Sequence, residues 1–343
     1  LQDKYAYADM LHENQIEVMP ESGIKGRGLA LYGGRVLEYQ TALAVEAEND
    51  YQRMELIRTK CEEMKSAWKG KRARTIPEIP QKPVWSEFHL LEDYQKKVED
   101  NTLLPVGYDG ANAEVYAIPL KNIYCYTVYG LARSGKTNFL KVCIQSAMEK
   151  DCVIAVFDSP SRDLRNYEKE EKVTYATDEQ GIFDFFREML PVFKERNQKK
   201  NELLNEQEYE EEEIFEVMSK ERPYFIFISD LSWFIPLIYN SELEMSGFLE
   251  NIIAKGRLHH IYFIADLALE NRTLLSGYQV YESFVNYKTG IQFGGKVGDN
   301  PILNYDYMGY MEKEKGEKPG IGFLPDVVDE KDTAQVVVPL ARR

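Results

Sequence analysis

"YGLARSGKTNF", residues Tyr129 to Phe139, decides how the rest of the chain is read. It follows "IYCYTV", an apolar run of strand character, and leads into a helix-forming run from Lys136 to Glu149. From Gly130 to Thr137 the residues fit the spacing G-x-x-x-x-G-K-[ST] at every fixed position. Two glycines let the backbone wrap closely, so its N–H groups and the start of the next helix converge where phosphate oxygens bind. The candidate nucleotide contacts are Gly130, Leu131, Ala132, Arg133, Ser134, Gly135, Lys136, Thr137 and Asn138. Lys136 is expected on the β- and γ-phosphates, and the Thr137 hydroxyl in the shell of a Mg²⁺ ion. ATP and Mg²⁺ are the cofactors this implies.

Such a loop needs an apolar strand ending in a carboxylate that orients the metal through water. "PYFIFISDLSWF", residues 223 to 234, supplies that strand with Asp230 at its end. In hydrolytic members of this class a glutamate follows the aspartate and polarises the attacking water. Here the next residue is Leu231. Without that base, water activation is impaired while positioning and charge stabilisation remain, so binding and hydrolysis are separate questions.

Around these motifs strand-like and helix-like runs alternate. Strands are expected at Glu114 to Leu120, Ile123 to Tyr129, Val153 to Phe157, Tyr224 to Ser229 and Ile261 to Ala265. Helices are expected at Lys136 to Glu149, Ile182 to Arg196 and Leu243 to Arg257. The alternation predicts an α/β fold of the P-loop NTPase kind, with a mainly parallel sheet flanked by helices on both faces. Its ligand belongs at the carboxyl ends of the strands.

Ahead of this domain, residues 1–44 include two short strands turning through Gly33-Gly34. Residues 45–83 read as a helix followed by a proline-rich linker, "GKRARTIPEIPQKP". In the helix Tyr51, Met54, Ile57, Cys61, Met64 and Trp68 recur at helical spacing. Residues 84–343 form the ATPase domain. "KPGIGFLPDVVDEKDTAQVVVPL" at the end has the same plan as "GIKGRGLALYGGRVLEYQTALA" at the start, which makes residues 1–44 the expected tail of a preceding domain, or the two an unrelated pair of hairpins.

Of 343 residues, 44% are hydrophobic, enough for one large domain with a well-buried core plus extra segments, or for two smaller domains. Lys and Arg number 42 against 57 Asp and Glu, a net charge of −15 that repels a polyphosphate backbone, so no nucleic-acid partner is expected. Cys61, Cys125, Cys143 and Cys152 show no C-x-x-C pair and read as reduced thiols. No stretch is long and apolar enough to span a bilayer, and a chain opening on Leu1 reads as a piece of a longer one. The basic cluster Lys69, Lys71, Arg72 and Arg74 reads as solvated linker. "EYEEEE", residues 208 to 213, reads as a solvated helix face or a projecting lid.

Three further residues are candidate sensors. Arg257 follows Gly256 at a helix end and either reports on a phosphate, in its own or a neighbouring subunit, or compensates the helix dipole. Asp266 closes a strand and serves either as a polar sensor or as a turn-initiating aspartate. Asp158, ending "VIAVFD", is a candidate for the layer behind the site.

In their order these motifs resemble the FtsK/SpoIIIE family of ring-forming ATPases. "LLPVGYDGANAEVYAIPL" looks like the family's lead-in, "GLARSGKTNFL" its phosphate loop and "IIAKGRLHHIYFIAD" its helix-G-R-x-x-x-I-strand segment. "TGIQFGGKVGDN", "KPGIGF" and "GRGLALYGGRVLEYQTA" are similar to the C-terminal ATPase domain of the EssC/EccC proteins of type VII secretion. Two departures stand out: Leu231 in place of the glutamate, and "ADL", Ala265 to Leu267, in place of the threonine-glutamine that senses the γ-phosphate.

The resemblance implies tandem ATPase domains at the cytoplasmic face of the bacterial membrane, reached through regions outside this segment. It also implies hexamers and recruitment of small helical secreted proteins through a C-terminal signal. The expected function is Mg-ATP binding with weak or no hydrolysis, in a module that contributes to recruitment and assembly. The alternatives are a competent DNA translocase or protein-export motor, and a signal receptor with nucleotide as structural cofactor.

Overall fold

The computed structural model describes residues 4–13, 16, 19, 20, 23–70, 78–205, 208–306, 308–325 and 335–342. Contacts divide the chain into two compact units, Leu1–Thr75 and Ile76–Arg343.

In the first unit, α1 (Lys4–Leu11) accompanies a two-stranded hairpin of β1 (Arg27–Tyr32) and β2 (Arg35–Gln40). Tyr32 pairs with Arg35, leaving Gly33 (φ 56°) and Gly34 (φ 73°) to turn the chain with the positive φ that a two-residue hairpin turn demands. Tyr7, Ile16 and Leu29 make a small apolar cluster. The helix α2 (Asp50–Ala67) begins on Asn49, whose side chain accepts from the Gln52 N–H. No residue of α2 is buried, so the row of Tyr51, Met54, Ile57, Cys61 and Met64 that its spacing creates faces outward, as does Trp68 just beyond it. Lys71, Arg72 and Arg74 of the basic cluster lie outside the described residues.

The second unit is built on a ten-stranded sheet. Its strands are β3 (Leu103–Asp109), β4 (Val115–Pro119), β5 (Cys125–Gly130), β6 (Val153–Phe157), β7 (Val173–Ala176), β8 (Tyr224–Ile228), β9 (Ile261–Ala268), β10 (Thr289–Phe293), β11 (Ile321–Phe323) and β12 (Gln335–Val337). They lie in the order β4-β3-β12-β11-β10-β5-β9-β8-β6-β7. From β10 to β7 every pairing is parallel, and from β10 to β4 every pairing is antiparallel.

The parallel strands are mostly apolar because their faces are covered, with Thr127, Asp266 and Gln292 as buried polar exceptions. Tyr126, Val128, Ile154, Val156, Phe225, Phe227, Tyr262 and Ile264 pack on one side. That side is closed by α5 (Lys136–Met148), α3 (Trp85–Phe88) and α4 (Glu92–Glu99), which bury Phe139, Cys143, Trp85, Phe88 and Tyr94 there. The alternate residues Cys125, Tyr129, Ala155, Phe157, Ile226, Ile228, Phe263 and Ala265 face the other side. They meet α6 (Glu179–Asn205), α8 (Leu231–Asn240), α9 (Met245–Ala254) and α10 (Gln279–Val285). No described helix is long and apolar enough to cross a membrane.

The expected strands and helices are present, with differences that have local causes. The helix expected to end at Arg196 runs to Asn205 and carries Pro191 inside it. Its buried Arg196 is satisfied by the carbonyl oxygens of Arg222 (2.7 Å), His259 (3.0 Å) and His260 (3.3 Å), which holds the extension against the sheet. The acidic stretch is no lid. Glu210 caps α7 (Glu211–Met218) in a capping box with Glu213, and Ile214, Phe215 and Met218 are buried. Carboxylates suit a helix start, where the backbone dipole is positive.

Phe157, fully buried, meets Phe185, Phe186 and Phe234 with ring centroids 5.5–5.9 Å apart. Phe157→Ala is expected to cost about 3–5 kcal/mol, read as a lowered urea midpoint.

Candidate functional site

Gly130 ends β5 at a point where a side chain has no space: a Cβ there would strike the Phe293 carbonyl oxygen and lie 2.7 Å from Ser134 Oγ. Gly135 has φ +113° and lies against Gly320, whose N would stand 2.9 Å from an added Cβ. Both glycines of the motif are therefore fixed by sterics as well as by turn geometry. The loop is stitched down by hydrogen bonds from Leu131 N to Phe293 O (3.3 Å), Ser134 Oγ to Leu131 O (2.8 Å) and Gly320 N to Ser134 O (2.9 Å). Leu131, Ala132 and Arg133 form its exposed crest, and Arg133 takes a left-handed φ of 60°.

Immediately after Gly135, α5 begins at Lys136, with its first N–H groups unengaged inside the helix and aimed toward the loop. Lys136 is buried; its Nζ donates to Leu131 O at 3.0 Å and lies 3.8 Å from an oxygen of Asp266. Thr137 is half-buried on the next residue. Asn138, expected among the nucleotide contacts, is engaged elsewhere. Its Nδ2 donates to Pro339 O and its Oδ1 accepts from Ala341 N, each at 2.9 Å, so it clamps the C-terminal segment to α5.

The carboxylates approach from neighbouring strands. Asp230 follows β8 and caps α8, accepting from Ser232 N (2.8 Å) and Ser232 Oγ (2.6 Å). Asn271 donates to that same hydroxyl at 3.1 Å. Between the phosphate-loop strand and the Asp230 strand runs β9, carrying Asp266 opposite Val128. Asp266 thus lies inside a strand, which removes the turn-initiating reading: it is a buried carboxylate beside the loop lysine. Burial pushes its pKa up to about 7; Lys136 opposes the shift, while Asp230, Asp163 and Glu270 reinforce it.

Leu231 is fully buried in the apolar cluster behind the sheet. The position where a glutamate was sought thus faces the core. Asp158 lies at the end of β6, three strands from β5; one of its oxygens accepts from Leu164 N (2.9 Å) and Tyr175 OH (2.7 Å), which ties down the loop that follows. Arg257 precedes β9, at the amino-terminal edge of the parallel strands, and pairs with Glu211. The phosphate loop leaves the carboxyl edge, so Arg257 does not sense a phosphate bound in its own chain. Gly320 stands in the "KPGIGF" stretch, but its approach to the loop, like the placing of Ser232 and Asn271, comes only from the fold.

These residues fit a nucleotide triphosphate with its metal ion. The loop is a cradle that Cβ atoms would fill, one buried ammonium lies against it, and Thr137 and Asp230 carry oxygen donors of the kind a hard cation takes. Bound Mg²⁺ would neutralise phosphate charge; Lys136 would hold the phosphates in place and the helix start would orient them. Asn138→Ala is expected to lower stability by about 1–3 kcal/mol in chemical denaturation while leaving nucleotide affinity within two-fold by calorimetry.

No protein-family model matches the chain. It is 24% identical over 185 residues, 53% of its length, to the ESX secretion system protein EccC of Geobacillus thermodenitrificans, and 24% identical over 160 residues, 46% of its length, to YukB of Bacillus subtilis. It spans only 12% and 10% of those relatives. The solved cytoplasmic domain of EssC superposes on 94% of the chain with a TM-score of 0.67 at 19% identity, the chain covering 59% of that structure. Thermomonospora curvata EccC (ATPases 2 and 3), in complex with a signal sequence peptide, matches 94% of the chain and 54% of its own length, with a TM-score of 0.56 at 16% identity. The chain therefore has the fold of the EssC and EccC ATPase domains, with its phosphate loop following β5, and is similar in sequence to EccC and YukB over about half its length.

Proposed function

We propose that this domain binds Mg-ATP and hydrolyses it weakly or not at all, serving as a nucleotide-held module of a type VII secretion ATPase. The observation that carries the reading is a contrast within one site. The chain has a phosphate loop with Lys136 and Thr137, Asp266 lies 3.8 Å from that lysine and Asp230 ends the strand beyond, whereas the residue after Asp230 is a leucine buried in the core. Such a site supplies positioning and charge compensation and lacks a base for water.

In this reading the module contributes to recruitment of secreted proteins and to assembly. The peptide-bound EccC neighbour, which spans ATPases 2 and 3, supports that role. Residues 1–44 are then the end of a preceding ATPase domain, a proposal that the antiparallel hairpins β1–β2 and β11–β12 support. Assembly into hexamers at the cytoplasmic face of the membrane, through regions outside this segment, belongs to the same proposal.

The test is nucleotide content and turnover on one sample. ATP is expected to copurify intact, with little phosphate released in Mg²⁺ at any protein concentration; turnover that climbs with concentration would mean that a neighbouring subunit completes the site and would refute the reading.

Leu231→Glu separates a missing base from a misplaced one. Because the side chain enters an apolar cluster, the substitution is expected to cost about 3–5 kcal/mol of stability and to yield no gain in phosphate release. A gain in turnover would show that the glutamate alone was lacking.

A further inference from the structure

Asp266 stands out within β9. Every other residue of the strand, "IYFIADLA", is apolar, and its carboxylate is placed under the sheet's carboxyl edge with the side chain 10% exposed. A buried charge is costly unless something compensates it, and the nearest compensating charge is the Lys136 ammonium, itself 10% exposed, at 3.8 Å. Lys136 is further held by Leu131 O, so in this arrangement the ammonium is spent inside the protein. The other carboxylates acting on Asp266, those of Asp230, Asp163 and Glu270, add negative charge to the same region.

A triphosphate that takes Lys136 as its partner competes with Asp266 for that ammonium. It then lies near a carboxylate whose charge the shared lysine no longer fully offsets, in a poorly solvated place where like charges repel strongly. Two things relieve that repulsion: removing the carboxylate's charge, or a divalent cation that offsets both anions.

We propose that Asp266 is the counter-ion of the phosphate-loop lysine in the nucleotide-free domain, and that it makes occupation of the loop conditional on a divalent cation. The inference rests on the nucleotide-binding reading and assigns a selecting residue within it. Asp266 discriminates metal-bound nucleotide from metal-free nucleotide, a role distinct from water activation.

Calorimetric titration with ATP in Mg²⁺ and in EDTA tests this, using the parent chain, Asp266→Asn, Asp266→Ser and Lys136→Ala. The parent is expected to bind roughly ten-fold or more tightly with Mg²⁺ than without. Asp266→Asn and Asp266→Ser are expected to bind metal-free ATP roughly ten-fold more tightly than the parent does, with a smaller change for Mg-ATP, so that the metal dependence narrows. Metal-free affinity unchanged in whichever variant folds, or a parent indifferent to Mg²⁺, would overturn the assignment. Absence of binding by the parent, or binding that survives Lys136→Ala, would instead overturn the nucleotide reading on which it stands.

Discussion

The end of β5 is a place with no space to spare. Gly130 sits against the Phe293 carbonyl and the Ser134 hydroxyl, and five residues later Gly135 sits against Gly320. From those two contacts the loop takes its path, α5 takes its starting point, and the ends of β10 and β11 are drawn against the loop. The hairpin of β11 and β12 then continues the sheet out to β3 and β4. The antiparallel half of the sheet is therefore joined to the phosphate loop at its root, because Gly320 N bonds to Ser134 O and Val338 N to Gly320 O.

The same arrangement explains how charge is handled. In a chain of net charge −15, the loop's positive character comes from the buried Lys136, the exposed Arg133 and the backbone N–H groups at a helix start. Lys136 has both a carbonyl and a carboxylate within reach. An overall negative protein can thus carry an anion site, since the field that matters is local and poorly solvated. Asp230 divides its role differently: capping α8 through Ser232 fixes where its carboxylate stands.

Residue types at set intervals determined much of this protein. The apolar strands and their alternation with helices were enough for the fold class, and the glycine spacing for the tight path at Gly130 and Gly135, because steric freedom and strand periodicity act over a few neighbouring residues. Sequence likewise shows that no glutamate follows Asp230. What the tertiary structure decided is which side chains meet. Asp266 comes beside Lys136 because β9 inserts between β5 and β8. The Asn138 side chain is engaged by the C-terminal segment because that segment passes beside α5. Arg257 falls at the far edge because its helix precedes the strand it feeds. Each depends on strand order, which is set by long-range packing of two apolar faces and leaves no mark in local spacing.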